Sequence, residues 1–343
     1  MVTSRRFPDS LTVHPGYQRV FQKDKLTLGF ILPLEAYPDE PAPTMADHAE
    51  TTRLADNLGF GALWARDVAL YDPMFGDVGQ IYDPFTYLGF LAANTQKIAL
   101  GTGSAVITLR HPIHVAKAAS SIDQLSNGRL LLGIASGDRP VEYPAFGLEA
   151  DYESRGERFR EAFAEIRTLT EDHFPRASFE RFGSFDGRTD LIPKPRFGRL
   201  PAFVTGSSRQ DLTWIATNSD GWFYYYVPVQ RLAPLTSAWH DAVRAAHGDD
   251  AFRPFIQGLF FDLDEDPNAP LVPIHSGMRA GRNALIGYLE RVCKMGVNHI
   301  AFNMKASRRP VSDVLRELGE YVLPHFPSHE QMNAPTTQTE LSA

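Results

Sequence analysis

The segment IALGTGSAVITLRHPIHVAKAASSIDQLSNGRLLLGI, residues 98–134, contains two strand patterns separated by one helix pattern. Ile98–Gly103 and Leu130–Ile134 are short apolar runs of strand length. Between them, His111 and the proline after it begin a stretch with apolar residues at helical spacing, and Gly128 follows where a helix end is expected. Two strands joined by a helix pair in parallel, so the segment predicts a βαβ unit.

The same unit recurs along the chain. The first four predicted strands begin at residues 26, 62, 98 and 130, which are 36, 36 and 32 residues apart. Such intervals fit one strand and one helix each. Four more strands are predicted at 201–205, 221–227, 255–263 and 298–302. Eight parallel strands with intervening helices predict an α/β protein with a closed (β/α)8, or TIM, barrel.

The barrel accounts for most of the chain as one domain. It is expected over residues 26–327, with an insertion of about 140–200 after strand 4. Residues 1–25 are an N-terminal extension that we expect to form an extended cover over the barrel. The polar residues 328–343 are expected to be a loosely held tail.

Composition excludes several classes of protein. A net charge of −7, without a basic cluster, argues against binding to nucleic acid or to an anionic membrane surface. No apolar run is long enough to span a bilayer, and the N-terminal residues lack a secretory signal pattern. The single cysteine, Cys293, fits a reducing compartment, so a cytoplasmic location is expected. Metal-ligand spacing is absent.

Reactive groups of such barrels lie where the strands end at their carboxyl side. Strand 5 runs into Gly206, Ser207, Ser208 and Arg209, followed by a helix pattern. A helix N-terminus there would offer free N–H groups and a positive dipole end to a phosphate. The alternative is that one serine only caps the helix.

Other strand ends leave two interpretations open. Gly101 and Gly103 after strand 3 suit either tight packing at the rim or the close approach of a flat ligand. Asp67, at the end of strand 2, is either an active-site carboxylate or a partner in a structural ion pair. His111 is a site candidate because it lies near the strand-3 loop, whereas His114 is expected to cap or pack.

Four stretches in order resemble the bacterial-luciferase-like flavin monooxygenase family. They are GFGALWARD (59–67), KIALGTGSAVITLRHP (97–112), SIDQLSNGRLLLGIASGDR (121–139) and PAFVTGSSRQDLTWIA (201–216). The resemblance covers about residues 26–323 and implies a flavin at the carboxyl face of the barrel. It also implies a non-proline cis peptide at Gly103-Ser104, facing the flavin ring, and a phosphate held at Ser207 and Ser208.

The resemblance gives a set of expected site residues. The cofactor-binding set is Gly103, Ser104, Ser136, Gly137, Arg139, Gly206, Ser207, Ser208 and Arg209, and the candidate catalytic residues are Asp67, Arg110 and His111. Two departures matter. Luciferase has Cys-Arg after strand 4, where this chain has Ala135 and Ser136, and its catalytic histidine falls at Val68. Light emission is therefore not expected.

The predicted function is that of an FMN-dependent oxidoreductase, a monooxygenase that uses reduced FMN and oxygen on a small organic substrate. A separate NAD(P)H-dependent flavin reductase would supply the reduced FMN, and a homodimer or higher homo-oligomer is expected from the resemblance. The alternatives are hydride transfer with the deazaflavin coenzyme F420, a non-catalytic flavin-binding protein, and an unrelated barrel enzyme acting on a sugar phosphate.

Overall fold

The computed structural model describes residues 11–75 and 77–329. The strands are β1 Thr27–Ile31, β2 Ala62–Ala65, β3 Ala99–Thr102, β4 Ala105–Val106, β5 Leu130–Ala135, β6 Arg176–Phe179, β7 Gly183–Asp186, β8 Ala202–Thr205, β9 Gly221–Tyr224, β10 Phe255–Leu263, β11 Val272–Ile274, β12 Gly277–Ala280 and β13 His299–Asn303. The α-helices are α1 Pro15–Val20, α2 His48–Leu58, α3 Pro84–Asn94, α4 Pro112–Leu125, α5 Glu142–Ala145, α6 Arg155–Glu171, α7 Leu212–Asn218, α8 Val229–His247, α9 Arg282–Lys294 and α10 Val311–Glu317. Across the described ranges, no helix has the length and apolar character needed to cross a membrane.

Eight of these strands close into a parallel barrel in the order β1-β2-β3-β5-β8-β9-β10-β13. The ring closes where β13 pairs in parallel with β1, with His299 beside Thr27 and Asn303 beside Ile31. Each barrel strand lies within, or one residue beyond, one of the eight predicted runs. The predicted (β/α)8 barrel is therefore confirmed.

The described part of the N-terminal extension is a short helix and not the extended cover that we expected. Helix α1 begins with a proline after His14, whose Nδ1 accepts a hydrogen bond from the Tyr17 amide (3.2 Å). Tyr17 and Phe21 pack against side chains inside the barrel, which include Trp64 and Phe203. The helix therefore closes the amino end of the barrel and leaves the carboxyl end for a ligand. Residues 1–10, and the expected tail beyond residue 329, lie outside the described residues.

The range 140–200 contains both a barrel helix and added structure. Helix α6 follows β5 and packs against α4, as the fourth helix of the barrel should. The added parts are the short helix α5 before it and the antiparallel hairpin of β6 and β7 after it.

Further elements were not predicted from the sequence. Strands β11 and β12 form a hairpin after β10, and β12 pairs in parallel with the last four residues of β10, beside the barrel mouth. Helix α8 carries its buried residues at helical spacing, including Leu232, Trp239 and Val243, but Pro234 inside it obscures that pattern.

Candidate functional site

A continuous groove crosses the carboxyl end of the barrel. It consists of two cavities of about 440 and 340 Å³ that share Arg66, Gly103, Arg139, Thr205 and Tyr225 in their walls. We call them the polar half and the aromatic half of the mouth groove. The further walls of the polar half include Ser104, Ser136, Gly137, Arg155, Ser207, Ser208 and Arg209. Those of the aromatic half include Phe75, Phe223, Tyr224, Tyr226 and Phe260.

The backbone bulge after β3 lies between the two halves. The Gly103-Ser104 peptide bond is cis, as the family resemblance implied. The Gly103 amide donates to the Ala65 carbonyl (2.7 Å), and the hydroxyl of Ser104 bonds to that of Thr205. A Cβ atom at Gly103 would lie 3.0 Å from Trp64 Cβ, closer than ordinary van der Waals contact, so a side chain there would require Trp64 to shift. Neighbouring strands thus hold the bulge from both sides.

The end of β5 adds a second piece of backbone to the polar half. The Ser136 carbonyl accepts hydrogen bonds from the hydroxyls of Thr108 (2.8 Å) and Tyr143 (2.7 Å). Gly137 adopts a positive φ of 72°, where a side chain would be strained. Its carbonyl accepts from Nε of Arg155 (3.2 Å), which ties the strand end to the first residue of α6.

The loop after β8 differs from the predicted helix N-terminus. Helix α7 begins at Leu212, four residues beyond Ser208, and the side chain of Asp211 caps it by accepting from the Trp214 amide (2.7 Å). The expectation that a helix dipole acts at Ser207–Arg209 is therefore wrong, because turn-forming residues intervene. Ser208 and Arg209 instead adopt left-handed backbone conformations. Within the described residues, the amides of Ser207 and Ser208 have no acceptor, so this loop still offers free donors.

Arg155 is a site residue that sequence reasoning missed. It is 6% exposed, and its guanidinium lies over the Tyr152 ring. Its Nη1 donates to the Tyr152 carbonyl (2.6 Å). With Nε on Gly137, these bonds leave Nη2 without a partner in the described part of the chain. The sequence could have indicated this residue, because Arg155 is the first residue of α6, the helix that follows the fourth barrel strand, β5.

The proposed catalytic residues Asp67 and Arg110 form a structural ion pair. Nε and Nη2 of Arg110 each donate to the Asp67 carboxylate over 2.8 Å, and Nη2 also lies 2.7 Å from Asp83. Asp67 further accepts from the Val106 amide (3.0 Å). Of the two interpretations of Asp67, the geometry favours the structural one.

Arg110 and His111 lie outside the mouth groove. They line a separate recess of about 660 Å³ between α3 and α4, which has Asp67, Val106 and Glu142 in common with the polar half. His111 is the N-cap of α4, and its Nδ1 accepts from the Ile113 amide (3.3 Å). Its pKa is lowered by burial and by its neighbour His114. The catalytic role predicted for these residues has no support from their placement.

The charges of the aromatic half are largely paired. Arg66 donates to the Asp77 carboxylate (2.5 Å), which also accepts from the Tyr37 hydroxyl (3.1 Å) and lies 3.6 Å from Nζ of Lys305. Burial alone would raise the pKa of Asp77, but Arg66 and the other donors hold it below its ordinary value. The described residues contain no cluster of His, Cys, Asp or Glu that could hold a metal ion.

The sequence matches that of known proteins over about half of the chain. Over 56% of this chain the sequence is 33% identical to an alkanal monooxygenase beta chain of Photorhabdus luminescens, of which the match covers 53%. It is 33% identical to the oxygenase component of a flavin-dependent trigonelline monooxygenase of Acinetobacter baylyi, over 43% of this chain and 38% of that one. A third relative is an F420-dependent hydroxymycolic acid dehydrogenase of Mycobacterium tuberculosis, 34% identical over 49% of this chain and 46% of that one. The chain thus spans about half the length, or less, of these relatives.

Solved structures agree on the architecture. An F420-dependent secondary alcohol dehydrogenase superposes with a TM-score of 0.72 at 18% identity, over 89% of this chain and 100% of the other. A monooxygenase from Streptomyces bottropensis superposes with a TM-score of 0.69 at 18% identity, over 88% of this chain and 99% of the other. The model of the luciferase-like monooxygenase family matches residues 27–271 of the sequence. The chain therefore belongs to the luciferase-like monooxygenase family.

Proposed function

We propose that this chain is a flavin-dependent monooxygenase that binds reduced FMN in the mouth groove and oxygenates a small organic molecule held beside it. The observation that carries the proposal is a set of three donors in the polar half that have no partner among the residues the structure describes: Nη2 of Arg155 and the amides of Ser207 and Ser208. Three donors, one of them cationic, suit a phosphate group. The family and its flavin-dependent relatives support the same reading.

The residues present fit FMN along the groove. Arg155, Ser207, Ser208 and Arg209 would hold the phosphate, and Gly206 lets the loop turn towards them with a φ of 57°. Gly103 and Ser104 would support the flavin ring, between Ser136–Gly137 on one side and the aromatic half on the other. Bound reduced flavin would supply the electrons for oxygen chemistry. The protein's own part is to orient cofactor and substrate and to exclude water behind aromatic walls.

Two proposals concern the partners of the protein. A separate NAD(P)H-dependent flavin reductase would supply the reduced FMN, since one relative is named as the oxygenase component of its enzyme. A homodimer, or a higher homo-oligomer, would cover apolar side chains that are exposed in the monomer around the β2–α3 loop and α3, which are Leu70, Tyr71, Met74, Ile81, Tyr82 and Phe90. A cytoplasmic location completes the proposal, consistent with one unpaired cysteine.

A second candidate is hydride transfer with coenzyme F420. Arg209 is half exposed at the outer edge of the polar half, where a longer anionic tail would leave the groove. An F420-dependent relative and an F420-dependent structural neighbour also support this candidate.

Titration of the purified protein with FMN and with F420 separates the two candidates. We expect FMN to bind with a dissociation constant in the micromolar range, and F420 to bind more weakly. Isothermal titration calorimetry under anaerobic conditions, with FMN and F420 both in their reduced forms, measures both constants. Millimolar or weaker FMN binding would contradict the first proposal, and tighter binding of F420 would favour the second.

A substitution tests the phosphate contact. Arg155→Met is expected to weaken FMN binding by about 10- to 100-fold, since a hydrogen bond to a charged group contributes roughly 1.5–3 kcal/mol. Riboflavin lacks the phosphate, so its affinity should stay unchanged. The control is Arg188→Met, which removes a charge from an exposed position just after the hairpin of β6 and β7. Equal losses for FMN and riboflavin would mean that Arg155 acts only through the fold.

A further inference from the structure

Arg139 is a buried cation with an unused hydrogen-bond donor. The residue is 7% exposed, and its guanidinium lies 4.6 Å from the centre of the Phe75 ring. Its Nη2 donates to the Asp77 carbonyl (3.3 Å), whereas Nη1 has no partner among the described residues. Buried charged groups are nearly always hydrogen-bonded or paired, so a free guanidinium nitrogen in a cavity wall calls for an anionic partner.

The neighbouring carboxylates do not supply that partner. Asp77 is already bonded through its side chain to Arg66 and Tyr37. Glu142 is buried close to Arg139, but within residues 11–75 and 77–329 the two make no ion pair, and Oε1 of Glu142 has no hydrogen-bond partner there. Burial raises the pKa of Glu142, against the opposing effect of Arg139, which favours the neutral acid. The positive charge of Arg139 is therefore left uncompensated at the groove.

The surroundings of Arg139 in the aromatic half suit a flat ligand. The walls of this half carry six aromatic rings, which are Phe75, Phe223, Tyr224, Tyr225, Tyr226 and Phe260. Its volume of about 340 Å³ lies at the small end of ligand cavities. Aromatic walls pack well against a planar ring, through edge-to-face and offset-stacked contacts. The other charged groups of this half, Arg66 and Asp77, neutralise each other.

We propose that the aromatic half of the mouth groove binds small aromatic carboxylates, with the ring among the aromatic side chains and the carboxylate on Nη1 of Arg139. This inference rests on the proposed function, in which a small organic molecule is held beside the cofactor, and it places that molecule in the aromatic half. It moves Arg139 from the predicted cofactor set to substrate binding. A guanidinium next to a carboxylate forms a charge-assisted hydrogen bond, which fixes the ring in one orientation beside the cofactor position.

The first test compares three probes on the unaltered protein by isothermal titration calorimetry, with and without FMN. Benzoate carries both the ring and the charge, methyl benzoate lacks the charge, and cyclohexanecarboxylate lacks the aromatic ring. We expect benzoate to bind at least tenfold more tightly than either of the others. Equal binding of benzoate and methyl benzoate would overturn the role of Arg139, and equal binding of cyclohexanecarboxylate would overturn the role of the rings.

The second test uses two variants whose expected effects are opposite. Arg139→Met should lose at least tenfold in benzoate affinity while it keeps FMN affinity, and Arg155→Met should do the reverse. Unchanged benzoate binding in Arg139→Met would refute the inference, even if FMN binds as proposed. If FMN fails to bind the unaltered protein while benzoate binding still depends on Arg139, the proposed cofactor is wrong and the anion site stands. The probe comparison needs no variant, so a folding defect in Arg139→Met cannot mask the result.

Discussion

Asp220→Ala is expected to lower the free energy of unfolding by about 3–5 kcal/mol, because it removes a buried carboxylate that two arginines share at the base of the barrel. Asp220 is fully buried just before β9. Its carboxylate accepts from Nη2 of Arg167 on α6 (2.6 Å), from Nη2 of Arg199 (2.7 Å) and from the Ala202 amide of β8 (2.9 Å). Its removal leaves these three donor groups without this acceptor, while the cost of burying them remains. Nη1 of Arg167 keeps its bonds to Glu171 (3.0 Å) and to the Leu200 carbonyl (2.7 Å).

Denaturant unfolding followed by tryptophan fluorescence measures this effect. The matched control is Asp249→Ala, an exposed aspartate in the turn after α8, for which a change within about 0.5 kcal/mol is expected. If Asp220→Ala lowers the free energy of unfolding no more than the control does, the hydrogen bonds to Asp220 make no net contribution to stability.

The contribution of the Asp220 carboxylate to stability depends on pH. Burial by itself would raise the pKa of Asp220, but Arg167 and Arg199 outweigh burial and hold that pKa below its ordinary value. A depressed carboxyl pKa contributes stability above the pKa of the unfolded chain, and that contribution is lost as the pH falls through the folded value. The difference in stability between the protein and Asp220→Ala should therefore shrink below about pH 4.

The barrel could be predicted from the sequence because its signals are local and repeated. Each buried strand is a short apolar run, and each run recurs after the length of one helix. Elements whose form depends on distant contacts were missed. Helix α1 is only six residues long, and what it buries lies inside the barrel rather than along the chain. Strand β12 is stabilised by pairing with the end of β10, and no local sequence pattern predicts that pairing.

The site could be located from the sequence but not assembled from it. The strand-end rule and the family resemblance together placed Gly103, Ser136 and Ser207 correctly on one groove. What they could not supply was the direction of long side chains. Arg110 follows the strand-3 loop, yet its guanidinium turns away to Asp67 and Asp83, whereas Arg155 comes back to the groove from the start of a helix. Arginine side chains span several ångströms, so position along the chain does not fix what they reach.

Below the cis peptide, a buried histidine connects the two ends of the barrel. His299 is fully buried, and its Nε2 accepts from Nε1 of Trp64 (3.1 Å). Its Nδ1 lies 2.8 Å from the Thr27 hydroxyl, which itself donates to the carbonyl of Val20, the last residue of α1 (2.9 Å). Because the Thr27 hydroxyl already donates its only hydrogen to the Val20 carbonyl, it must accept from Nδ1. His299 is therefore the neutral Nδ1–H tautomer. Trp64 in turn packs against Gly103, so the bulge depends on this arrangement.

Protonation of His299 would place an N–H group against the Trp64 N–H, in a site that is fully buried. Burial therefore lowers the pKa of His299 from 6.5 to about 3. Between these values the unfolded chain binds a proton that the folded chain does not, so stability is full above pH 6.5 and falls by about 1.4 kcal/mol for each pH unit below it.

We expect the free energy of unfolding to decline more steeply from pH 6.5 to pH 4 in the protein than in His299→Gln, which cannot titrate. The difference in slope should approach about 1.4 kcal/mol per pH unit, whatever the variant loses at pH 7. If the variant does not fold, nitrogen NMR of histidine-labelled protein provides the same test, because the Nδ1–H tautomer should persist down to the pH of acid unfolding. A folded protein in which His299 takes up its proton near pH 6.5 would contradict the assignment. It would also remove Trp64 as the fixed support beneath the cis peptide.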